Sequence, residues 1–221
     1  MPHMEEPEIY IVDDDPALRS SILVFAQSAS LAARAYESAE DFLAENTAAP
    51  KQPGCLVLDI RMPGMGGIEL LRRLRANLSD LPVILISGHA DVPATIRGMK
   101  LGAVDLLIKP VELPVLFEAI KRSLKISTDL HQQRAAAISI SRRFEHLTAR
   151  ELELVRVVVD GHSNKQIAVE MHISVKTVAN HRASLMTKTG AANAADLARV
   201  FTMYNSNVSR ESNPQSGPAI L

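Results

Sequence analysis

The chain has 221 residues, enough for one large domain or two small ones that each bury a core. Its 47% hydrophobic and 22% charged residues and net charge of -1 are ordinary for a soluble protein and argue against a disordered or fibrous chain. The single Cys55 excludes an internal disulfide, and no apolar run approaches the ~20 residues of a membrane span, so a reducing cytoplasmic setting without a membrane partner is expected.

The near-zero net charge conceals two halves. Residues 1–125 carry 13 Lys and Arg against 17 Asp and Glu, whereas residues 142–205 carry 9 against 6. An acidic first half and a basic second half suggest two domains with different partners. In the first, short β-rich runs alternate with helical patterns. Strands are expected at Glu8–Val12, Ala32–Tyr36, Cys55–Asp59, Val83–Ser87 and Asp105–Lys109. Helices are expected at Pro16–Ser28, Ser38–Glu45, Gly66–Ala76, Val92–Leu101 and Leu113–Ser127. Pro16 suits a first helical turn, and Ser38 with Asp41 resembles a capping box. Five strands alternating with five helices spell an α/β fold, a (βα)5 doubly wound parallel sheet, over residues 1–125.

Residues 126–143 have helix-forming composition without a strand pattern, and read as an extension of the fifth helix serving as an interdomain linker. Beyond them only helices are expected. Thr148 with Glu151 opens one that ends at Gly161, and Ser163 with Gln166 opens a second through Met171. Ser174 caps a third through Thr189 before Gly190, and a fourth spans Asn193–Tyr204. Four short helices make a small all-α domain over residues 144–205, and the tight break between the second and third resembles a helix-turn-helix. Residues 206–221, rich in Ser, Asn and Pro, are expected to be disordered.

Charges cluster where apolar strands end. Asp13, Asp14 and Asp15 follow the first strand and Asp59 closes the third. If both strands are central, their carboxylates meet in the crevice at the sheet's carboxyl edge, where open α/β sheets place ligands. Like charges so close need a cation. With no His or Cys in the cluster, oxygen ligands suit Mg2+ better than zinc. Ser87 ends the fourth strand and Lys109 the fifth, adding a hydroxyl and a fixed cation. Carboxylates, hydroxyl and ammonium together meet the needs of a phosphoryl group on a carboxylate, with Asp59 as nucleophile.

Asp13-Asp14, Asp59 in Leu-Asp-Ile-Arg-Met-Pro-Gly-Met-Gly-Gly, Ser87-Gly88-His89 and Lys109-Pro110 resemble the receiver domain of two-component response regulators. The resemblance implies that Asp59 accepts phosphate from a histidine kinase, and that Asp14, Asp59 and the backbone carbonyl of Arg61 ligate Mg2+ with Asp13 assisting through water. It also implies that Ser87 turns toward the phosphate, that Lys109 binds it, and that the Lys109-Pro110 peptide is cis. Asp15 either joins the cluster or caps the first helix. Arg61 and His89 occupy positions that tune phosphate lifetime in the family, or are solvated. Leu106 stands where many receivers carry an aromatic switch. A Mg2+-dependent phosphatase of similar fold is the enzyme-class rival, but it would want an Asp at the position of Arg61.

The segments Leu147–Gly161, Asn164–Ala168 and Ser174–His181 resemble the LuxR-type helix-turn-helix, which places the chain in the NarL/FixJ group. Ile167, Ala168, Ile173, Val175, Val178 and Leu185 form the expected buried face. Lys165, Lys176, Thr177, Arg182 and Lys188 are candidates for phosphate contacts in promoter DNA, and Asn180 for bidentate pairing with adenine. His181 either contacts DNA or bonds within the bundle. The whole chain then reads as a transcription regulator rather than an enzyme, forming a homodimer on phosphorylation and acting on RNA polymerase. The alternative within the signalling class is a DNA binder indifferent to phosphorylation.

Overall fold

We describe the protein from a computed structural model that covers residues 6–46, 52–77, 79–88 and 92–212. The chain divides into two compact units, Met1–Gln132 and Gln133–Leu221.

In the first unit the elements run β1 (Glu8–Val12), α1 (Pro16–Ser28), β2 (Ala32–Tyr36), α2 (Ala39–Glu45), β3 (Gly54–Asp59), α3 (Gly67–Ala76), β4 (Val83–Ser87), α4 (Val92–Lys100), β5 (Asp105–Ile108) and α5, which begins at Leu113. The strands form one parallel sheet in the order β2-β1-β3-β4-β5. β1, β3 and β4 are buried along their whole length, as strands covered by helices on both faces must be. Because side chains alternate across a strand, each contributes to two cores. Tyr10, Val12, Leu56, Leu58, Val83 and Leu85 pack with Phe42, Leu70, Leu74 and Ala94 of α2, α3 and α4. Ile9, Ile11, Val57, Ile84 and Ile86 pack with Ile22 and Ala26 of α1 and with Leu116 and Ile120 of α5. The doubly wound reading is therefore borne out. The order in which strands are added reverses between β1 and β3, with β2 on one side and β3, β4 and β5 on the other, which opens the crevice at their carboxyl ends.

Local chemistry sets the helix starts. Asp15 caps α1 by accepting from the Ala17 amide at 2.8 Å, with Pro16 in the first turn, and Ser38 caps α2 by accepting from Asp41. α5 is one helix from Leu113 to Glu145, with no break after Ser127. No Pro or Gly interrupts residues 115–145, so nothing in the backbone chemistry stops it.

The second unit holds the end of α5, then α6 (Ala149–Val159), α7 (Asn164–Glu170), α8 (Val175–Thr189) and α9 (Ala194–Ser212). Capping boxes at Thr148/Glu151 and Ser163/Gln166 start α6 and α7, and Ser174 caps α8 by accepting from Thr177. Phe144, Leu154, Val155, Val158, Ile167, Val178, Leu185, Leu197 and Val200 form its core. Phe144, near the end of α5, stacks on Tyr204 with ring centroids 4.6 Å apart.

One helix end and one burial assignment differ from expectation. α9 continues past Tyr204 to Ser212, through residues assigned to a disordered tail. Its Ser and Asn are modest helix formers, but no breaker occurs before Pro214. The rest of that tail lies outside the described residues. Val175 was expected in the buried face, yet it is 46% exposed at the first position of α8.

Candidate functional site

β1 and β3 lie side by side in register, with Val12 opposite Leu58. Their ends therefore bring Asp13 and Asp59 together, both buried, beside exposed Asp14. One carboxylate oxygen from each of the three lies within 4.8 Å of the others. The shared placement follows from the fold: a parallel sheet aligns strand ends, so a charge that terminates each central strand must enter the same crevice.

Lys109 supplies the cation. Its peptide bond to Pro110 is cis, and its amide donates to the Ser87 carbonyl at 2.8 Å, which ties it to the end of β4. The ammonium lies 2.5 Å from Asp59 Oδ2 and 3.2 Å from Asp13 Oδ2. Burial is the largest influence on Lys109 and pulls it down, but the hydrogen bond from its ammonium to Asp59 and the charges of both carboxylates outweigh it and hold Lys109 above its ordinary value. Burial likewise dominates at Asp13 and, with the Asp59 charge, raises its carboxyl; the Asp15 amide and Lys109 oppose this without cancelling it.

A divalent cation fits this arrangement. Asp13 Oδ1 accepts from the Asp15 amide at 2.8 Å, while Asp13 Oδ2 is buried and accepts no hydrogen bond among the described residues, although Lys109 Nζ is near. An unsatisfied buried carboxylate oxygen is costly. The donors are all oxygen, as hard ions require. Asp59 Oδ1 also accepts from the Arg61 amide at 3.0 Å, so the loop leaving β3 folds back on the carboxylate. Ser87 is buried beside the crevice with its hydroxyl donating to the Gly88 carbonyl at 3.0 Å. His89 lies outside the described residues. Asp15 caps α1 and stands outside the carboxylate group. Leu106 is half-buried and packs on the core shared with α3 and α4.

The candidate DNA-contacting residues fall into two groups. Lys165, Lys176, Asn180 and His181 are exposed on α7 and α8. The others have partners within the bundle. Half-buried Arg182 donates to Asn164 Oδ1 at 3.0 Å, joining α8 to α7. Lys188 donates to Glu151 Oε1 at 2.7 Å. That bond is the foremost reason, ahead of the Thr148 amide, that Glu151 stays below the usual carboxylate range. Thr177 takes part in the α8 cap, its hydroxyl 2.7 Å from that of Ser174.

Sequence reasoning missed residues that work through backbone carbonyls. Arg75, at the end of α3, donates to the carbonyls of Ser79, Leu81, Leu101 and Gly102, holding the β4 approach to the end of α4. Arg150 donates to the Met171 carbonyl at 2.6 Å, satisfying the end of α7 at the helix-turn-helix break. Neither has a sequence signature, since the acceptors carry no side-chain identity.

Residues 9–121 match the family described as response regulator receiver domain, and residues 145–201 match bacterial regulatory proteins of the luxR family. The transcriptional regulatory protein FixJ of Azorhizobium caulinodans is 38% identical over 196 residues, 89% of this chain and 92% of the relative. The response regulator protein TmoT of Ectopseudomonas mendocina is 36% identical over 200 residues, 90% of each. Among solved structures, the response regulator StyR is similar at a TM-score of 0.82 and 37% identity, covering 90% of this chain and all of that one.

Proposed function

Because the chain belongs to the response regulators that join a receiver domain to a LuxR-family DNA-binding domain, we propose that Asp59 is its phosphorylation site and that phosphorylation controls promoter binding. The single observation that carries the assignment is the convergence of Asp13, Asp14, Asp59 and Lys109 at the carboxyl edge of the sheet. We assign residues 1–125 to the receiver, 126–143 to a helical linker and 144–205 to the DNA-binding domain.

Asp59 Oδ2, now bound by Lys109, is the oxygen placed to attack the phosphorus of a phosphohistidine on the kinase. The P–N bond breaks as the P–O bond forms, and the imidazole nitrogen leaves with the electron pair. Lys109 then pairs with a phosphoryl oxygen, and Ser87 turns its hydroxyl from the Gly88 carbonyl to donate to another. A Mg2+ held by Asp13, Asp14, Asp59 and the Arg61 carbonyl would neutralise charge on the transferring group. Arg61 and His89 are the residues we assign to tuning the lifetime of the signal.

Turning Ser87 inward draws on the end of β4. The phosphoryl group selects the state it binds better. Exposed Val92, Ile96 and Met99 of α4 and Ile108 of β5 support a surface for a second copy in that state. A dimer presents two α8 helices to two half-sites. Lys165, Lys176, Thr177, Arg182 and Lys188 serve the phosphate backbone, Asn180 reads adenine and His181 lies alongside, with RNA polymerase as the downstream partner. Incubation with acetyl phosphate and Mg2+ should label the wild-type chain stoichiometrically and leave Asp59→Asn unlabelled. Persistent labelling of that variant contradicts the assignment, and continuous release of phosphate would instead indicate a phosphatase.

A further inference from the structure

The loop from Ile60 to Gly66 carries the Arg61 carbonyl, and its path is held at both ends. At its start the Ile60 amide donates to the Ile86 carbonyl at 2.9 Å and the Arg61 amide to Asp59 Oδ1 at 3.0 Å. At its end the Gly67 amide donates back to the Ile60 carbonyl at 3.0 Å. Between them the chain turns at Gly64, whose φ of 73° is left-handed. A Cβ there would also meet Glu40 Oε1 at 2.8 Å.

That oxygen is the loop's outside support. Glu40, in the first turn of α2, extends its carboxylate so that Oε1 accepts from the Met65 amide at 2.8 Å. The loop belongs to the segment between β3 and α3, whereas Glu40 comes from a different element, so the bond fixes the loop against the body of the domain. Half-buried Met62 and Met65 pack on the same core as Phe42 of α2. Side-chain acceptor, left-handed turn and apolar packing thus act on one short segment, with Arg61 inside it.

From this geometry we infer that Glu40 is a positioning residue for the metal-binding loop, acting as a neutral-capable hydrogen-bond acceptor that holds the Arg61 carbonyl in register with Asp59. The inference rests on the metal reading of the preceding subsection. A backbone carbonyl ligand is useful only if its loop is already ordered when the cation arrives. Otherwise the ordering entropy is charged against binding.

The test is direct binding of Mn2+, read from the electron paramagnetic resonance of the free ion, with full-length wild type, Glu40→Ala and Glu40→Gln. Thermal midpoints in chelator accompany each titration. Glu40→Ala should weaken Mn2+ binding about fivefold, the scale of one net hydrogen bond, and lower its metal-free midpoint by only a few degrees. Glu40→Gln keeps an acceptor oxygen and should restore wild-type affinity. Equal affinity of wild type and Glu40→Ala overturns the inference alone. So does Glu40→Gln as weak as Glu40→Ala, which assigns the effect to charge. Absence of Mn2+ binding by the wild type overturns the metal reading as well.

Discussion

At Asp13, burial and the neighbouring Asp59 disfavour the charged form of the carboxyl. Its carboxyl is buried, pushed upward by desolvation and by Asp59, and leaves one oxygen without a hydrogen bond among the described residues. In chelator, Asp13→Asn should therefore raise stability by about 1 kcal/mol, since it removes like-charge repulsion while keeping an acceptor for the Asp15 amide. It should also abolish the gain in thermal midpoint that Mg2+ gives the wild type. Differential scanning calorimetry with and without Mg2+ checks both, and a destabilised variant that still responds to Mg2+ would contradict the role given to Asp13. Asp13, Asp14, Asp59, Ser87 and Lys109 were legible in sequence because each ends an apolar run, and a parallel sheet brings such ends to one edge. Glu40, Arg75 and Arg150 were not, because their partners are main-chain groups delivered by the fold. Asp15 was ambiguous for a related reason: an Asp before Pro16 suits a cap and a metal equally well until the carboxylates are placed.

Among the elements, α8 carries the DNA-reading claim. It starts at a Ser174 cap, closes against Gly190 in the left-handed region, and buries Val178 and Leu185 while exposing Lys176 and Asn180. Asn180→Ala should relax sequence preference, costing about 1–3 kcal/mol at cognate sites and little at random DNA. Lys176→Ala should weaken all sites alike and flatten the salt dependence. Binding isotherms on cognate and scrambled duplexes at several salt concentrations separate the two, and equal loss of preference in both variants contradicts the division. Arg182 and Lys188 should fall short of Lys176 in this assay, being bound to Asn164 and Glu151 in the free protein. The strands, to within one residue at β3 and β5, and the capping boxes of α6 and α7 were legible because period and cap chemistry are local. The continuation of α5 through the linker was legible too, ending at Glu145 where Arg143 was expected, but the end of α9 was not. Composition suggested a change of character near Tyr204, but composition alone does not stop a helix that lacks Pro or Gly.

For the whole molecule, the uneven charge already separates two tasks: an acidic unit in which Asp13, Asp14 and Asp59 converge and a basic one suited to a polyanion. No helix among the described residues is long and apolar enough to cross a membrane. Among the described residues each unit has a hydrophobic core of its own. Their joint presence in one chain makes sense if the state of Asp59 sets the affinity for DNA, a coupling that sequence motifs name but cannot quantify. The direct measurement is the dissociation constant of the full-length chain for a cognate duplex, with and without acetyl phosphate and Mg2+, for wild type and Asp59→Asn. The phosphodonor should tighten wild-type binding about tenfold or more, within the usual range of allosteric coupling, and leave Asp59→Asn unchanged. Wild-type affinity that ignores the phosphodonor while Asp59 is demonstrably labelled would contradict it.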